Sequence, residues 1–335
     1  MSYTIKDIAN RAGVSKSTVS RVISGNGYTS LETRQKVLDT IQELHYKPNA
    51  LARAMVSQRT HNIGVIIYRQ HHPIASHPFY GKILDSILTT AESLDYSVFV
   101  TTDKEMSSRS ADFMLEKRVD GLILISRLSK EVIDYIHSFQ IPYLMVNGTV
   151  EDDQVIQIVN NDEKGGRLAA EHLFQLGHRQ FSIITGPQEH RSHYLRFQSF
   201  RRRIEELGGN ILKEHVYFSP TSRFEDGFKG LNIMWERSRL PLAIFATNDM
   251  LALGAIQSLW EKGVRVPEDM AVMGFDNVEY SAMSVPPLTS IHVEKEKMGY
   301  DAVITLDRLI KGETVNPVWI ELEPKLVVRK STLRV

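Results

Sequence analysis

Between residues 4 and 23 the apolar side chains fall at helical spacing. Ile5, Ile8, Ala9 and Ala12 form one stripe, and Val19, Val22 and Ile23 form a second. Thr4 is placed to cap the first helix, with Asp7 three residues on as a weak version of the capping box. Gly13 interrupts the pattern where a tight turn needs a residue without Cβ. Ser15 is the expected N-cap of the second helix, with Val14 and Val19 at the two positions of a hydrophobic staple. Gly25 is expected to end it. Ser30 caps a third helix with Val37, Leu38, Ile41 and Leu44 on its apolar face. That helix is expected to stop at Tyr46-Lys47-Pro48, because the residue before proline avoids the αR region. Three short helices make a compact head of the helix-turn-helix class.

From Ile63 the period changes. Apolar runs of strand length occur at 63–68, 97–102, 120–126, 141–147, 180–186, 242–249 and 270–276. Amphipathic stretches at 82–94, 165–176 and 249–262 lie among them. Near-continuous apolar strands alternating with helices imply parallel sheets covered on both faces. About 270 residues exceed what one such sheet normally holds, so two lobes are expected. The fold class is therefore α/β: a three-helix head on a body of two doubly wound parallel sheets. Ligands in this architecture bind where strand C-termini face a crevice. The residues just past the strands then come first: 101–103, Ser126, Asn147, 186–196, Asn248–Asp249 and 275–277.

The polar face of the second helix carries Lys16, Ser17, Ser20 and Arg21 near its N-terminus, unmasked by acid. Alone, such a face reads as solvated surface. Combined with the glycine turn and the staple, it reads as a helix that enters a DNA major groove: amides and hydroxyls for phosphate, cations for guanine edges. Charge points the same way. The 335-residue chain is formally neutral, yet residues 1–60 hold nine Lys/Arg against four Asp/Glu, leaving 31 against 36 elsewhere. A basic head on an acidic body fits a head that meets a polyanion. Residues 49–57, NALARAMVS, are good helix formers but too few to be stable alone in water. They are expected to order on docking against DNA or a partner chain.

The absence of cysteine excludes a disulfide scaffold, a Cys-ligated zinc site and thiol catalysis. The N-terminal residues lack the apolar core of a signal peptide, and no apolar run is long enough to span a bilayer. A cytoplasmic location, associated with the nucleoid, is expected. No G-x-G-x-x-G follows a strand, and there is no G-x-x-x-x-G-K-[ST] or H-E-x-x-H. No metal, cofactor or enzymatic activity is expected, and a plain solute-binding receptor would not need the basic head.

With these residues in view, the chain resembles the lactose-repressor (LacI/GalR) family of bacterial transcription regulators over nearly its whole length. TIKDIANRAGVSKSTVSRVISG, KPNALARAM, RVDGLIL, EHLFQLGHR, IFATNDMLALGA, VPEDMAVMGFDN and PPLTSI carry the resemblance in order. The head signature is the more specific part, since the body motifs also occur in sugar-binding proteins of the same periplasmic fold. The resemblance implies a head at 1–48, a hinge helix and linker at 49–60, and a two-lobed effector-binding and dimerisation body at 61–335. It places Lys16 and Ser17 at base-reading positions, and Arg21 at a third that reads bases or phosphate. Thr4, Ser15, Thr18 and Ser20 complete the DNA-facing set in the head, and Asn49, Ala52 and Met55 in the hinge. Met55 stands where the family inserts a leucine into the central minor-groove step, a wedge of similar size but more flexible.

The resemblance also implies an effector cleft. Arg196 matches the effector-clamping arginine, and Asn248 and Asp276 match residues that hydrogen-bond the effector. Phe79 and Tyr80, in His77-Pro78-Phe79-Tyr80, match aromatics that line the cleft, although aromatics at a helix start also serve as core. Asp276 could equally be a turn or cap residue. Ser126, His190 and Ser192 are further candidates, and Phe224 is a candidate stacking residue. Arg201–Arg203 read as solvated surface. An Asp, an Asn and an Arg together suit a polyhydroxylated ligand, a sugar or sugar derivative, better than a flat purine, which needs stacking faces. The expected partners are a near-palindromic double-stranded DNA operator, a second copy of the chain, and a small effector. In one branch of the family, the catabolite control proteins, a phosphorylated carrier protein docks on the body, and that alternative stays open.

Overall fold

The structure is a computed structural model that describes residues 3–24, 27–46, 59–68, 74, 76–103, 109–116, 118–126, 130–150, 152 and 154–333. Gly25 and the hinge positions Asn49, Ala52 and Met55 lie outside the described residues.

The head is three helices: α1 (Ile5–Ala12), α2 (Lys16–Ser24) and α3 (Leu31–Glu43). Their starts are set by short-range hydrogen bonds. Asp7 accepts from the Thr4 amide at 2.8 Å, Ser15 Oγ from the Thr18 amide at 3.1 Å, and Ser30 Oγ from the Thr33 amide at 3.2 Å. Gly13 sits at φ +64, the left-handed conformation that ends α1 and returns its amide to Ala9 and Asn10. Ile8, Ala9, Ala12, Val19, Val22, Val37 and Tyr46 form the core, with Val14 packed against it. Leu38, expected on the inner face of α3, is 42% exposed. α3 also ends sooner than expected: Leu44 is the C-cap and His45 turns at φ +46, so the stop is made before Pro48 can act.

The first lobe is a six-stranded sheet of β1 (Asn62–Tyr68), β2 (Ser97–Asp103), β3 (Gly121–Ile125), β4 (Tyr143–Val146), β5 (Ile156–Asn160) and β11 (Trp319–Leu322). Its order is β11-β5-β4-β3-β1-β2, parallel throughout. The helices after β1, β2 and β3 are α4 (Tyr80–Ser93), α5 (Arg109–Glu116) and α6 (Lys130–His137). The second lobe holds β6 (Ser182–Thr185), β7 (Val216–Phe218), β8 (Ala243–Ala246), β9 (Ala271–Asp276), β10 (Thr289–His292) and β12 (Lys325–Val327). Its order is β12-β10-β9-β8-β6-β7, with only β12 antiparallel. Its helices are α7 (Asp162–Gln175), α8 (Arg191–Glu206), α9 (Phe224–Arg237), α10 (Asp249–Glu261) and the short α11 (Glu279–Met283); α12 (Lys295–Ile310) returns to pack on α4. Each expected strand is present. Among the described residues, the unforeseen strands are β5, β7, β10, β11 and β12.

The chain crosses between the lobes three times, after β5, after β10 and after β11. The crossings are tied to one another. Asn161 donates its amide to Leu322 at 2.9 Å and its Nδ2 to Glu321 at 2.8 Å, Lys164 pairs with Glu323, and Lys325 pairs with Glu294. At the entry to the body, the amides of Thr60 and His61 donate to the two carboxylate oxygens of Asp120 at 2.7 and 2.8 Å.

Candidate ligand cleft and DNA-facing helix

On α2, Lys16, Ser17 and Arg21 are exposed, while Thr18 and Ser20 are half-buried. Ser15 Oγ lies 2.7 Å from Ser17 Oγ and 2.8 Å from Thr18 Oγ1, so three hydroxyls gather at the helix N-terminus. Gly27, at φ +97, leaves room beside Arg21: a Cβ there would stand 3.2 Å from the Arg21 stem.

Both sheets turn their strand C-termini toward one interlobe cleft of 310 Å³. Phe79, Tyr80, Ser126, His190, Ser192, Arg196, Asn248 and Asp276 all line it. Phe224 does not; it opens α9 outside the lining, and Ser222 faces the cleft instead. The reason is the helix start: α9 begins at Phe224 and packs on α10 so tightly that a Cβ on Gly254 would meet the Phe224 carbonyl at 2.0 Å. Several lining residues hold strained backbone, with φ of +71 at Ser126, +51 at Asn147 and +99 at Asp276. Such conformations cost energy and persist where the surroundings over-determine them, often at ligand sites.

Arg196 organises the base. It is 3% exposed and reaches from α8 with Nε 2.8 Å from Asp162 Oδ1 and Nη1 2.8 Å from Asp276 Oδ1. Nη1 also donates to the Thr247 carbonyl at 2.9 Å, and the guanidinium lies 3.8 Å over the Phe275 ring. Burial works against the arginine's charge, but the two carboxylates outweigh it and raise its pKa. Burial likewise raises the pKa of Asp276, against the pull of Arg196 and Lys295. Lys295, 3% exposed, completes the charge set: its Nζ donates to the Asp276 carbonyl at 2.5 Å and to Val293 at 3.1 Å. This holds the backbone that aims the Asp276 carboxylate.

The polar roles divide by lobe. Tyr80 Oη donates to Ser126 Oγ at 3.5 Å and accepts from Asn147 Nδ2 at 3.3 Å, so the aromatic carries a hydroxyl across the ends of β3 and β4. Phe79 serves both readings, lining the cleft and packing in the core. Asn248 caps α10 through the Leu251 amide at 2.9 Å and donates Nδ2 to the Ser222 carbonyl at 3.0 Å. His193, held neutral by burial and by Arg196, meets Thr247 Oγ1 at 2.7 Å through Nδ1. Behind the cleft, buried Asp249 accepts from the Val278 amide at 2.8 Å and from the hydroxyls of Ser281 and Ser290 at 2.6 Å each. Burial, with Asp276 nearby, pushes its pKa up to about 7. Asn160, Asp162, His193, Thr247 and Lys295 were not singled out as individual sites. The signal available for the first two was their place at the end of the IQIVN run, which was not among the apolar runs of strand length singled out in the sequence. Arg201 and Arg202 are exposed, as expected, whereas Arg203 is half-buried and paired to Glu171 and Glu206.

A helix-turn-helix head on a two-lobed body with a polar interlobe cleft defines a ligand-binding, DNA-binding transcriptional regulator. Residues 4–49 match the family described as bacterial regulatory proteins, lacI family, and residues 170–332 match the periplasmic binding protein-like domain. Among named relatives, the HTH-type transcriptional repressor PurR of Actinobacillus pleuropneumoniae serotype 3 (strain JL03) is 34% identical over 98% of each chain. That of Haemophilus influenzae (strain ATCC 51907 / DSM 11121 / KW20 / Rd) is 36% identical over 98% of each. Among solved structures, the lac repressor dimer bound to operator and the anti-inducer ONPF superposes with a TM-score of 0.85 at 30% identity, covering 99% of this chain and 100% of that one. The regulator CelR in complex with cellobiose gives 0.75 at 29%, covering 98% and 99%. The chain belongs to the LacI family of bacterial regulatory proteins. It is a DNA-binding transcriptional repressor with an effector-binding body.

Proposed function

We propose that this repressor binds a near-palindromic operator as a homodimer and that a neutral carbohydrate in the interlobe cleft sets its operator affinity. In this reading Lys16, Ser17 and Arg21 read bases, and Thr4, Ser15, Thr18 and Ser20 hold phosphates. Residues 49–60, with Asn49, Ala52 and Met55, engage the minor groove. The division into head (1–48), linker (49–60) and body (61–335) is adopted with it, in keeping with the anchoring of Thr60 and His61 to Asp120. A location in the cytoplasm follows from the DNA target; among the described residues no helix is long and apolar enough to cross a membrane.

One observation carries the carbohydrate assignment. The cleft base presents carboxylates whose partner arginine is already engaged, so it offers acceptors to hydroxyls rather than a cation to an anion. The second lobe's share of the lining includes Pro187, His190, Pro220 and Ser222 and no Phe, Tyr or Trp, so a flat base would find large stacking rings from the first lobe alone. The similarity to the regulator CelR, solved as a complex with cellobiose, supports a sugar in this cleft. The same lining supports a regulator over an enzyme. In the hydroxyl–imidazole pair at the cleft, Thr247 with His193, the Thr247 hydroxyl is fully buried and so is not open to a substrate.

The test is a thermal-shift screen of the full chain against mono- and disaccharides, sugar phosphates, uronic acids and purines. A ligand at a hundred times its dissociation constant adds about 2.7 kcal/mol to stability. A neutral sugar that stabilises the protein, and no longer does so in Asp276→Ala, supports the assignment. A response to phosphates, uronic acids or purines alone overturns it. No response to any of them also overturns it, and directs attention to a protein effector such as a phosphorylated carrier protein. Operator DNA is recovered by selection from random duplexes. The factor by which sugar changes operator affinity must equal the factor by which operator changes sugar affinity.

A further inference from the structure

His292 is the last residue of β10, just before the chain leaves the second lobe for α12. Its ring sits in a chain of hydrogen bonds whose direction is fixed. Arg329 Nη2 donates to Asn277 Oδ1 at 2.7 Å. A guanidinium only donates, so this contact settles which end of the Asn277 amide is oxygen. Asn277 Nδ2 therefore faces His292 Nδ1, 3.0 Å away. An amide nitrogen also only donates, so Nδ1 is the bare, accepting nitrogen and the ring proton belongs on Nε2. Nε2 lies 3.5 Å from Glu294 Oε2, and Glu294 takes Lys325 Nζ on its other oxygen. The neutral ring satisfies every one of these contacts. A second proton has to enter at Nδ1, where it meets the hydrogens of Asn277.

We propose that His292 is a proton-sensitive joint of the second lobe: a proton taken up at Nδ1 displaces Asn277 and loosens the turn that carries Asp276 into the cleft. The inference goes beyond the carbohydrate reading and stands whatever the ligand is. Asn277 follows Asp276 directly, and both hold left-handed backbone, with φ of +49 and +99. Such backbone persists only while its surroundings hold it. The holding contacts are those of the Asn277 side chain, its amide to Ser290 Oγ at 3.0 Å, and its carbonyl to Lys295 Nζ at 3.3 Å. The His292 side chain is 24% exposed, so solvent protons reach it. Its charged neighbours come from every side. Asp276 on β9 and Lys325 on β12 are its register partners, Lys295 and Glu296 stand on α12, and Arg329 acts through Asn277. α7 meets β10 at Ile291 through Gly165, which carries no charge. Burial, then Lys295, lower the His292 pKa from its ordinary 6.5, against Glu294 and Glu296. The stability carried by the neutral ring is therefore fully present above about pH 6.5 and is lost as pH falls through the folded value.

The test is urea unfolding of the full, ligand-free chain between about pH 5 and 7.5, the range in which a histidine charges. His292→Gln, which cannot titrate, is the reference. The ratio of wild-type to His292→Gln folding constants should fall about fivefold from the upper pH to the lower, the worth of one lost hydrogen bond. Asn277→Asp should reverse the sign. One carboxylate oxygen keeps Arg329 and the other accepts from a protonated Nδ1, so in that background the same ratio, with and without His292→Gln, should rise as pH falls. Should that variant fail to fold, Asn277→Ala removes the opposing hydrogens and should flatten the ratio. Amide exchange over residues 276–283, compared at equal pH, should be faster in the wild type than in His292→Gln at the lower pH and equal at the upper. A flat wild-type ratio overturns the proposal. A ratio that still falls in the Asn277→Asp or Asn277→Ala background overturns it too, because the added proton then does not meet Asn277. Equal exchange at the lower pH overturns the link from His292 to the Asp276 turn.

Discussion

In the head, the polar groups that cap the helix starts find their partners within three residues of chain. Thr4 meets Asp7, Ser15 meets Thr18 and Ser30 meets Thr33, all at the surface. In the cleft, Arg196 meets Asp162 across 34 positions and Asp276 across 80, with all three nearly out of water. The first region is a polar face supported by a small apolar core, and its charges cost little to keep exposed. The second is a charge network supported by its own members, where each group is tolerable only while the others remain. Substitutions should therefore act through binding in the head and through folding as well as binding in the cleft.

The largest break of that contrast is Arg196→Met. It leaves the Asp162 and Asp276 carboxylates buried without their shared cation, and the body should lose about 3–5 kcal/mol in urea unfolding followed by circular dichroism. Neutralising both acids in the same chain should recover part of the loss. A loss below about 1 kcal/mol would mean that solvent already screens the pair.

Asp249 sharpens the contrast through pH. Its ordinary pKa of 3.8 rises to about 7 in the fold, so the folded state holds the proton more tightly than the unfolded chain does. The stability it contributes is fully present below about pH 4 and is lost as pH rises through 7. A shift of that size corresponds to about 4 kcal/mol across the window. In Asp249→Asn the component is absent. The wild-type-minus-variant stability should fall between pH 4 and 7 and level off above, and a flat difference curve would count against a buried, protonated Asp249.

The smallest folding effect is expected at Lys16. Lys16→Ala should leave the melting temperature unchanged, since the side chain is exposed. Affinity for selected operator should drop by about 1–3 kcal/mol, with relaxed specificity at one position if the contact is to a base. If the contact is to phosphate, the loss should be uniform across sequences and the salt slope should shrink by about one. Unchanged DNA affinity would remove Lys16 from the DNA-facing set.

The same divide governs what could be read beforehand. The seven apolar strands were legible because their side chains alone carry the signal. β5 was not, since Gln157 interrupts it; the fold tolerates that glutamine because its amide takes the Val150 amide at 2.9 Å and gives to the Val150 carbonyl at 3.1 Å. β10 was hidden by Thr289 and Ser290, whose hydroxyls find Arg329, Thr332 and Asp249. A polar residue in a buried strand looks like a break until its distant partner is known. Phe224 illustrates the opposite limit: it is the first residue of α9 and lies off the cleft, while Ser222, two residues earlier and before the helix, lines it.

The sequence by itself determined the three head helices, their caps, the glycine turn and the alternation that makes two parallel sheets, because those depend on spacing and short-range hydrogen bonds. Only the tertiary structure decided that Asn160, Asp162, Arg196, Asp276 and Lys295 share one buried site. Their interactions are strong only where water is excluded, and that exclusion exists only once both lobes are folded and the chain has crossed between them three times.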